Sequence, residues 1–374
     1  MPPLSLLIKP ASSNCNLRCK YCFYHSIAES RTQSSYGIMS RDMLEILVKK
    51  ALEYAEGSCT FAFQGGEPTL AGLDFYKELV EFQKKYNSKN VKINNSIQTN
   101  GMVIDDQWSR FLAANKFLVG ISLDGPKDIH DMNRVDTLEA GSFNQVMNTI
   151  GLFNEYGVDY NILTVVNAVT ARHISKVYNF FKKNNFKYLQ FIPCLDPLNE
   201  MPGGQDYSLT PARYSRFLNT LFDLWYQDFI SGNGVSIRYF DDLTDMLTGY
   251  PPSSCGMAGF CTCYYVVEAD GSTYPCDFYV IDEWYLGNIR DSGFDEMRNS
   301  QNGIGFVEVS KNIDPECRKC RHFQLCRGGC RRTREPFANG KPILNYYCSA
   351  YKDFFDYSED RLKRIAQYLV RRNG

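Results

Sequence analysis

Cys15, Cys19 and Cys22 stand in the string C-N-L-R-C-K-Y-C, with three residues between the first pair and two between the second. Three thiolates at that spacing can hold three irons of a four-iron cluster on one short loop. The fourth iron is then left without a protein ligand. An open iron can bind and reductively cleave a ligand, whereas a fully ligated cluster mainly transfers electrons. The loop therefore points to radical chemistry. A zinc knuckle is the competing use of the same thiols. It needs a fourth N or S donor, and His25 lies close enough in sequence to supply one.

A second series, C-R-K-C-R-H-F-Q-L-C-R-G-G-C, sets Cys317, Cys320, Cys326 and Cys330 at separations of two, five and three residues. Cys261 is followed by nine residues, Gly271, four residues and Cys276, with Cys255 just before and Cys348 after the second series. These eight thiolates could bind two complete four-iron clusters. Cys59, Cys194 and Cys263 remain of the fourteen cysteines. Cys59 opens the apolar run C-T-F-A-F and reads as a small buried hydrophobe. Cys194 ends a strand-like run and could face a pocket. Cys263 lies two residues from Cys261 and could replace it as a ligand.

Elements to position these groups alternate through the first half of the chain. Leu4–Lys9, Cys59–Phe63, Val91–Gln98, Phe117–Ser122, Tyr160–Val166 and Tyr188–Ile192 read as strands, being short, rich in β-branched or aromatic residues and bounded by turn signals. Arg41–Glu56, Leu73–Tyr86, Asp105–Asn115, Ser142–Tyr156 and Ala171–Asn184 carry helical periodicity. Such βα repeats imply a parallel sheet with right-handed crossovers. Polar signals fall at the strand ends: the cysteine loop after the first, Q-G-G-E-P at Gln64–Pro68, Q-T-N at Gln98–Asn100, S-L-D-G at Ser122–Gly125, and Cys194 with Leu195 after the sixth. Barrel active sites sit at the C-terminal ends of strands.

The chain has 374 residues, which fits two domains or one barrel with an extension. Its 44% apolar content supports a large core, and a net charge of −1 argues against a general polyanion binder such as a nucleic-acid protein. The basic run Arg327, Arg331, Arg332 and Arg334 surrounds proposed thiolates and reads as local compensation. The opening M-P-P-L-S-L-L-I-K-P lacks the charged start and long apolar core of a secretory signal. No apolar run approaches membrane-spanning length, and a chain of this size needs no disulfide stapling. These features imply a reducing cytoplasm and no membrane partner.

C-x-x-x-C-x-x-C with Tyr21 before its last cysteine resembles the cluster loop of the radical S-adenosylmethionine (SAM) superfamily. That resemblance implies an α/β fold, a partial (β/α)6 barrel, followed by a C-terminal iron–sulfur domain. The later cysteines resemble the SPASM extension. Carried over, this assigns Cys255, Cys261, Cys276 and Cys330 to one auxiliary cluster and Cys317, Cys320, Cys326 and Cys348 to another. The implied cofactors are SAM and three 4Fe-4S clusters. The implied domains are residues 1–234, the barrel with a connecting helix, and 235–374, the SPASM domain with a C-terminal helix. The two cysteine sets interleave, so this region is expected to fold only around its metals.

The same resemblance implies the SAM contacts. Gly65 and Gly66 would let backbone carbonyls approach the methionine ammonium, and Glu67 would add charge. Ser122 and Asp124 would meet the ribose, Arg134 the methionine carboxylate, and Leu195 with the backbone near Tyr21 the adenine. His25, His130, His173 and His322 share no triad or ligand spacing and read as loop or helix-surface imidazoles.

Across its whole length the chain is similar to anaerobic sulfatase-maturating enzymes. The match is carried by C-N-L-R-C-K-Y-C-F-Y-H, F-A-F-Q-G-G-E-P-T-L-A-G, S-I-R-Y-F, Y-P-C-D-F-Y and L-N-Y-Y-C. Asn14 stands where relatives often have Gly, and the loop Val135–Ser142 lacks a strong match. The implied reaction oxidises a Cys or Ser within C/S-x-P/A-x-R of a sulfatase polypeptide to formylglycine. Asp277 occupies the base position, a role that partial burial would favour by raising its pKa. Tyr24 and Gln64 would orient the peptide. A low-potential donor such as ferredoxin or flavodoxin is the implied electron source. Two rival readings use the same residues: a thioether-crosslinking SPASM enzyme, and a non-enzymatic iron–sulfur carrier. The carrier leaves G-G-E and S-L-D-G without purpose.

Overall fold

A computed structural model describes residues 3–198, 200–337 and 342–373, so the outer limits 1 and 374 of the two expected domains lie outside the described residues. Its strands are β1 (Leu4–Ile8), β2 (Ser58–Phe63), β3 (Lys92–Thr99), β4 (Leu118–Ser122), β5 (Tyr160–Val166), β6 (Tyr188–Pro193), β7 (Ser236–Ile237), β8 (Val266–Val267), β9 (Ser272–Tyr274) and β10 (Gly287–Asn288). Contacts divide the chain into two compact units whose segments interleave along the sequence.

The first unit comprises residues 1–123, 130–161 and 263–306. Its strands β1 to β4 pair in parallel and in chain order. The register sets Ile8 opposite Phe63, Phe63 opposite Ile97, and Thr99 opposite Ile121. The strands therefore deliver the segments that follow them to one edge. β8 joins β1 on the other side in parallel, with Ile8 opposite Val267, and β9 and β10 follow antiparallel. This short addition brings the 268–277 segment beside the exit of β1.

Helices between these strands form where apolar residues recur with helical spacing. Arg41–Tyr54 buries Met43, Leu44, Leu47, Val48, Ala51 and Leu52, and the Ser40 hydroxyl caps it by accepting from the Met43 N–H. Asp105 caps Asp106–Ala114 in the same way through Trp108 N–H. Phe143–Tyr156 ends at Gly157, whose φ of 69° terminates the helix in the left-handed region. Phe61, Phe63, Leu112, Val119 and Phe153 are buried between strands and helices.

The second unit comprises residues 124–129, 162–262 and 307–374. Here β5, from Ile162 onward, pairs in parallel with β6, and β6 with β7. Helix Pro211–Ile230 starts with Thr210 as its cap and proline in its first turn. The C-terminal helix Cys348–Asn373 opens on a candidate ligand. An aromatic cluster joins the helices: Phe240 stacks on Phe354 at 5.9 Å, and Phe222 meets Phe240 edge-on at 5.3 Å.

The six expected strands agree with β1 to β6 to within a residue at each end. The expected helix Ala171–Asn184 is corrected. Two helices stand there, Ala168–Arg172 and Ile174–Lys183. Asn167 nucleates the first by accepting from the Val169 and Thr170 N–H groups, and His173 leaves helical geometry with φ of −108°. Val177, Tyr178 and Phe181 of the second are buried.

Candidate active site and cluster cysteines

The cysteine loop leaves β1 and ends at Cys22, which takes the N-cap position of helix Phe23–Glu29. Cys15 Sγ accepts from the Leu17 N–H at 3.4 Å and lies 3.7 Å from Asn100 Nδ2. Burial pushes the Cys15 thiol up to about 11, with Glu67 and Cys22 adding to the rise. Burial also raises Cys22, while the Tyr24 and His25 N–H groups, Arg134 and Lys9 pull it down. Thiols held in this way ionise only with a cation to compensate them, which suits metal binding coupled to proton loss. Among the described residues, no three His, Cys, Asp or Glu side chains converge as one metal ion requires. A four-iron cluster takes each thiolate on a separate iron, and a more open donor set fits it.

The glycines after β2 are dictated by what lies beside them. Gly66 has φ of +50°, and a Cβ there would sit 2.2 Å from the Asn14 carbonyl and 2.9 Å from that of Ser12. The residue packs against the backbone of the cysteine loop. Gly66→Ala is therefore expected to cost about 1–3 kcal/mol in strain and to push that loop aside. Iron content and SAM affinity of the reconstituted variant should both drop; parent-like values of both would show the contact is tolerated. Gly65, with φ of +95°, instead faces the stem of Lys9.

Glu67 is fully buried and engaged within the fold. Its Oε1 accepts from Thr69 N–H at 3.0 Å, Thr69 Oγ1 at 2.6 Å and Thr99 Oγ1 at 2.8 Å, and its Oε2 from Asn100 N–H at 2.7 Å. It ties the end of β3 to the turn after β2. Desolvation raises its pKa, and these four donors oppose the rise. Ser122 ends β4, its hydroxyl accepting from Gln98 Nε2 at 3.0 Å. Tyr21 and Arg134 are buried, with the guanidinium 5.5 Å from the Tyr21 ring centroid.

A buried polar cluster surrounds Asp277, in the turn that follows β9. Tyr24 Oη donates to its Oδ2. Gln64 Nε2 donates to the same oxygen at 3.2 Å and to Tyr24 Oη at 2.9 Å. Lys9 Nζ lies 3.7 Å from the other oxygen, Oδ1, which is buried and accepts no hydrogen bond. Burial raises the Asp277 carboxyl, and the Lys9 ammonium is the main opposing influence. Tyr24 is raised too, first by burial and then by the charge of Asp277. Lys9 also faces Glu268 at 4.0 Å, and Arg31 binds Glu268 at 2.6 Å. Sequence reading missed Lys9, Arg31 and Glu268. The available signal was a lysine closing the apolar run L-S-L-L-I at a strand end.

In the second unit, burial pushes the Cys330 thiol up to about 12, with Cys261 and Cys255 near enough to add to the rise. Cys261 N–H donates to Ser310 Oγ at 2.8 Å, and Arg331 and Arg334 bear on its thiol. Cys276 lies in the first unit, as does Cys263, whose thiol burial pushes up to about 11 against the lowering influence of the Tyr265 N–H and Arg298. Cys261, Cys255 and Cys330 lie near enough to influence one another's thiols. Cys317, Cys320, Cys326 and Cys348 line one cavity together. Arg331, Arg332 and Arg334 are buried, Arg334 donating to the carbonyls of Ser310 and Asn312.

The remaining candidates fall as follows. Asp124 belongs to the second unit, is buried, and accepts from Val165 N–H at 3.0 Å. Leu195 is half-buried in the loop after β6. Cys59 is buried within β2, matching its reading as a hydrophobe, and Cys194 is buried with its thiol 3.6 Å from the Tyr207 carbonyl. Two histidine expectations are corrected. His130 is buried against Ser142 Oγ at 2.9 Å, and His322 is buried with Asp356 at 2.6 Å and Glu359 at 3.4 Å. His130 satisfies a polar group inside the fold, and the His322 ring is itself buried while its carboxylate partners are partly exposed, so neither is a surface imidazole.

Comparison with known proteins gives this arrangement its class. Residues 10–181 match the Radical SAM superfamily, and residues 255–321 match SPASM, an iron–sulfur cluster-binding domain. The chain is a radical SAM protein: a partial (β/α)6 barrel with a C-terminal SPASM domain. It is 55% identical over 369 residues to the cysteine-type anaerobic sulfatase-maturating enzyme of Clostridium perfringens, covering 99% of this chain and 100% of that one. It is 33% identical to the serine-type enzyme of Bacteroides thetaiotaomicron, covering 95% and 89%. The solved structure of native anSMEcpe with bound AdoMet and Cp18Cys peptide superposes with a TM-score of 0.95 at 54% identity, covering 98% and 100%. The chain belongs to the anaerobic sulfatase-maturating enzyme family.

Proposed function

We propose that this enzyme oxidises a cysteine of a sulfatase polypeptide to formylglycine, with SAM and three 4Fe-4S clusters as cofactors. The observation that carries the chemistry is Asp277: a buried carboxylate oriented on one oxygen by Tyr24 and Gln64, with its other oxygen accepting no hydrogen bond. That is the state of a base ready to accept a substrate proton. SAM held at the cluster of Cys15, Cys19 and Cys22 would supply, when bound and reduced, a radical able to take one hydrogen atom from the substrate Cβ. Asp277 would take the thiol proton, the remaining electron would pass to an auxiliary four-iron cluster as acceptor, and water would hydrolyse the thioaldehyde to aldehyde and hydrogen sulfide. Tyr24 and Gln64 hold the carboxylate in place through this step.

Cys15, Cys19 and Cys22 would hold the cluster at SAM. Cys317, Cys320, Cys326 and Cys348 would hold one auxiliary cluster, and Cys255, Cys261, Cys330 and Cys276 the other. Tyr21, Gly65, Gly66, Glu67, Ser122, Asp124, Arg134 and Leu195 form the proposed SAM site, with Gly66 and Glu67 shaping its walls. The barrel with its connecting helix is taken as residues 1–234 and the SPASM region as 235–374. No helix among the described residues is long and apolar enough to cross a membrane. A low-potential electron is what the cluster at SAM would need, so a ferredoxin or flavodoxin in a reducing cytoplasm is the proposed donor.

Anaerobic incubation with SAM, reductant and paired peptides carrying C-x-P-x-R or S-x-P-x-R tests the proposal. Mass spectrometry should show the cysteine peptide converted to aldehyde faster than the serine peptide. A product joining two residues would establish a crosslinking enzyme instead, and SAM cleavage with no modified peptide would reject the substrate.

A further inference from the structure

The side chain of Lys9 has no role in the chemistry so far. Its backbone continues β1, and its N–H donates to the Val267 carbonyl at 2.8 Å. The side chain is 2% exposed. A buried ammonium is strongly unfavourable without charge partners. Lys9 has two, Glu268 at 4.0 Å and Asp277 at 3.7 Å, and lies 4.2 Å from the Tyr24 ring centroid. Glu268 is itself fixed by Arg31 at 2.6 Å.

We propose that Lys9 is a positioning residue for Asp277, and that residue 65 is glycine because the Lys9 stem runs past it. This rests on the assignment of Asp277 as the base. The two carboxylate oxygens are held from different sides. Oδ2 is fixed by hydrogen bonds from Tyr24 and Gln64, whereas Oδ1 is held by charge alone and keeps its lone pairs for a proton. An ammonium suits this task, since attraction to it is less directional than a hydrogen bond. Arg31, bound to Glu268, keeps that carboxylate from drawing Lys9 wholly to itself.

The Gly65 geometry is the independent support. A Cβ at this position would lie 2.5 Å from Lys9 Cε, 2.9 Å from Cγ and 3.0 Å from Nζ. Any side chain there must displace Lys9. The first glycine of G-G-E is thereby tied to the base, and only the second to the backbone of the cysteine loop.

The test uses reconstituted holoenzyme and the C-x-P-x-R peptide. Lys9→Met keeps the length of the stem and removes its charge. Formylglycine made per 5′-deoxyadenosine should fall about 10- to 100-fold, the scale of a misplaced reacting group. The loss should lie in kcat, with KM for the peptide near the parent value. Lys9→Arg should recover much of the ratio because it restores the charge. Gly65→Ala should lower the ratio as Lys9→Met does, and should lower it little further when combined with Lys9→Ala, which removes the stem it would displace. An iron-replete Lys9→Met enzyme with parent-like ratio and kcat overturns the proposal. So does a Lys9→Arg enzyme as impaired as Lys9→Met, which would leave only packing. If Lys9→Met fails to hold iron, the Lys9→Arg and Gly65→Ala ratios decide by the same outcomes. A parent enzyme that makes no formylglycine would instead defeat the proposed function and leave the Lys9 geometry untouched.

Discussion

Replacement of Cys15, Cys19 and Cys22 together by alanine is expected to abolish SAM cleavage and remove about a third of the bound iron, since about twelve irons per chain correspond to three four-iron clusters. The effect should be confined to one cluster. The three cysteines lie on a single loop between β1 and helix Phe23–Glu29, and Cys317, Cys320, Cys326 and Cys348 are grouped elsewhere around their own cavity. Each thiol of the loop is part-buried, so alanine removes a ligand without opening a large cavity. Iron and sulfide analysis after anaerobic reconstitution gives the content, and chromatographic assay of 5′-deoxyadenosine gives cleavage. A parent protein that reconstitutes a single cluster would defeat the eleven-ligand assignment. A triple variant that still cleaves SAM would place the reactive cluster elsewhere.

Much of the scaffold was legible because each barrel strand is a short run of apolar residues followed by a polar exit. Periodicity and turn signals are local, and they located β1 to β6 closely. The break at His173 was not legible, since helical periodicity runs through it and only the Asn167 cap gives the preceding turn away. β8 is two residues long, Val266–Val267, too short for any periodic signal. Yet its pairing with β1 brings Glu268 beside Lys9. The base site depends on that pairing. Residues 9, 24, 64 and 277 meet only in the fold, and no spacing rule joins them. Motif resemblance supplied Asp277, Tyr24 and Gln64; it was silent on Lys9, Arg31 and Glu268, which act through one another and carry no signature. Glu67 shows the converse case. Its motif is plain in the sequence, but its carboxylate is taken up by Thr69, Thr99 and Asn100, which only the fold brings to it.

Asp277→Asn should separate the two halves of the reaction. Asparagine keeps the shape of the side chain and can still accept at its carbonyl oxygen, but it does not take a proton at neutral pH. Formylglycine should fall at least about 100-fold, the lower end of what general-base catalysis contributes. All eleven proposed thiolate ligands remain, so the clusters should assemble. The glycine and arginine contacts proposed for SAM involve other residues, so 5′-deoxyadenosine should still form, without matching aldehyde. The substitution also leaves Lys9 facing a neutral amide in place of a carboxylate, with Glu268 as its remaining charge partner. Cluster content must therefore be measured on the same preparation, because a folding defect next to Cys276 would imitate lost catalysis. Iron-replete Asp277→Asn enzyme giving parent-like aldehyde per SAM cleaved would remove Asp277 from the proton transfer. Tyr24, whose hydroxyl lies against both Asp277 and Gln64, would then be the group to test as the base.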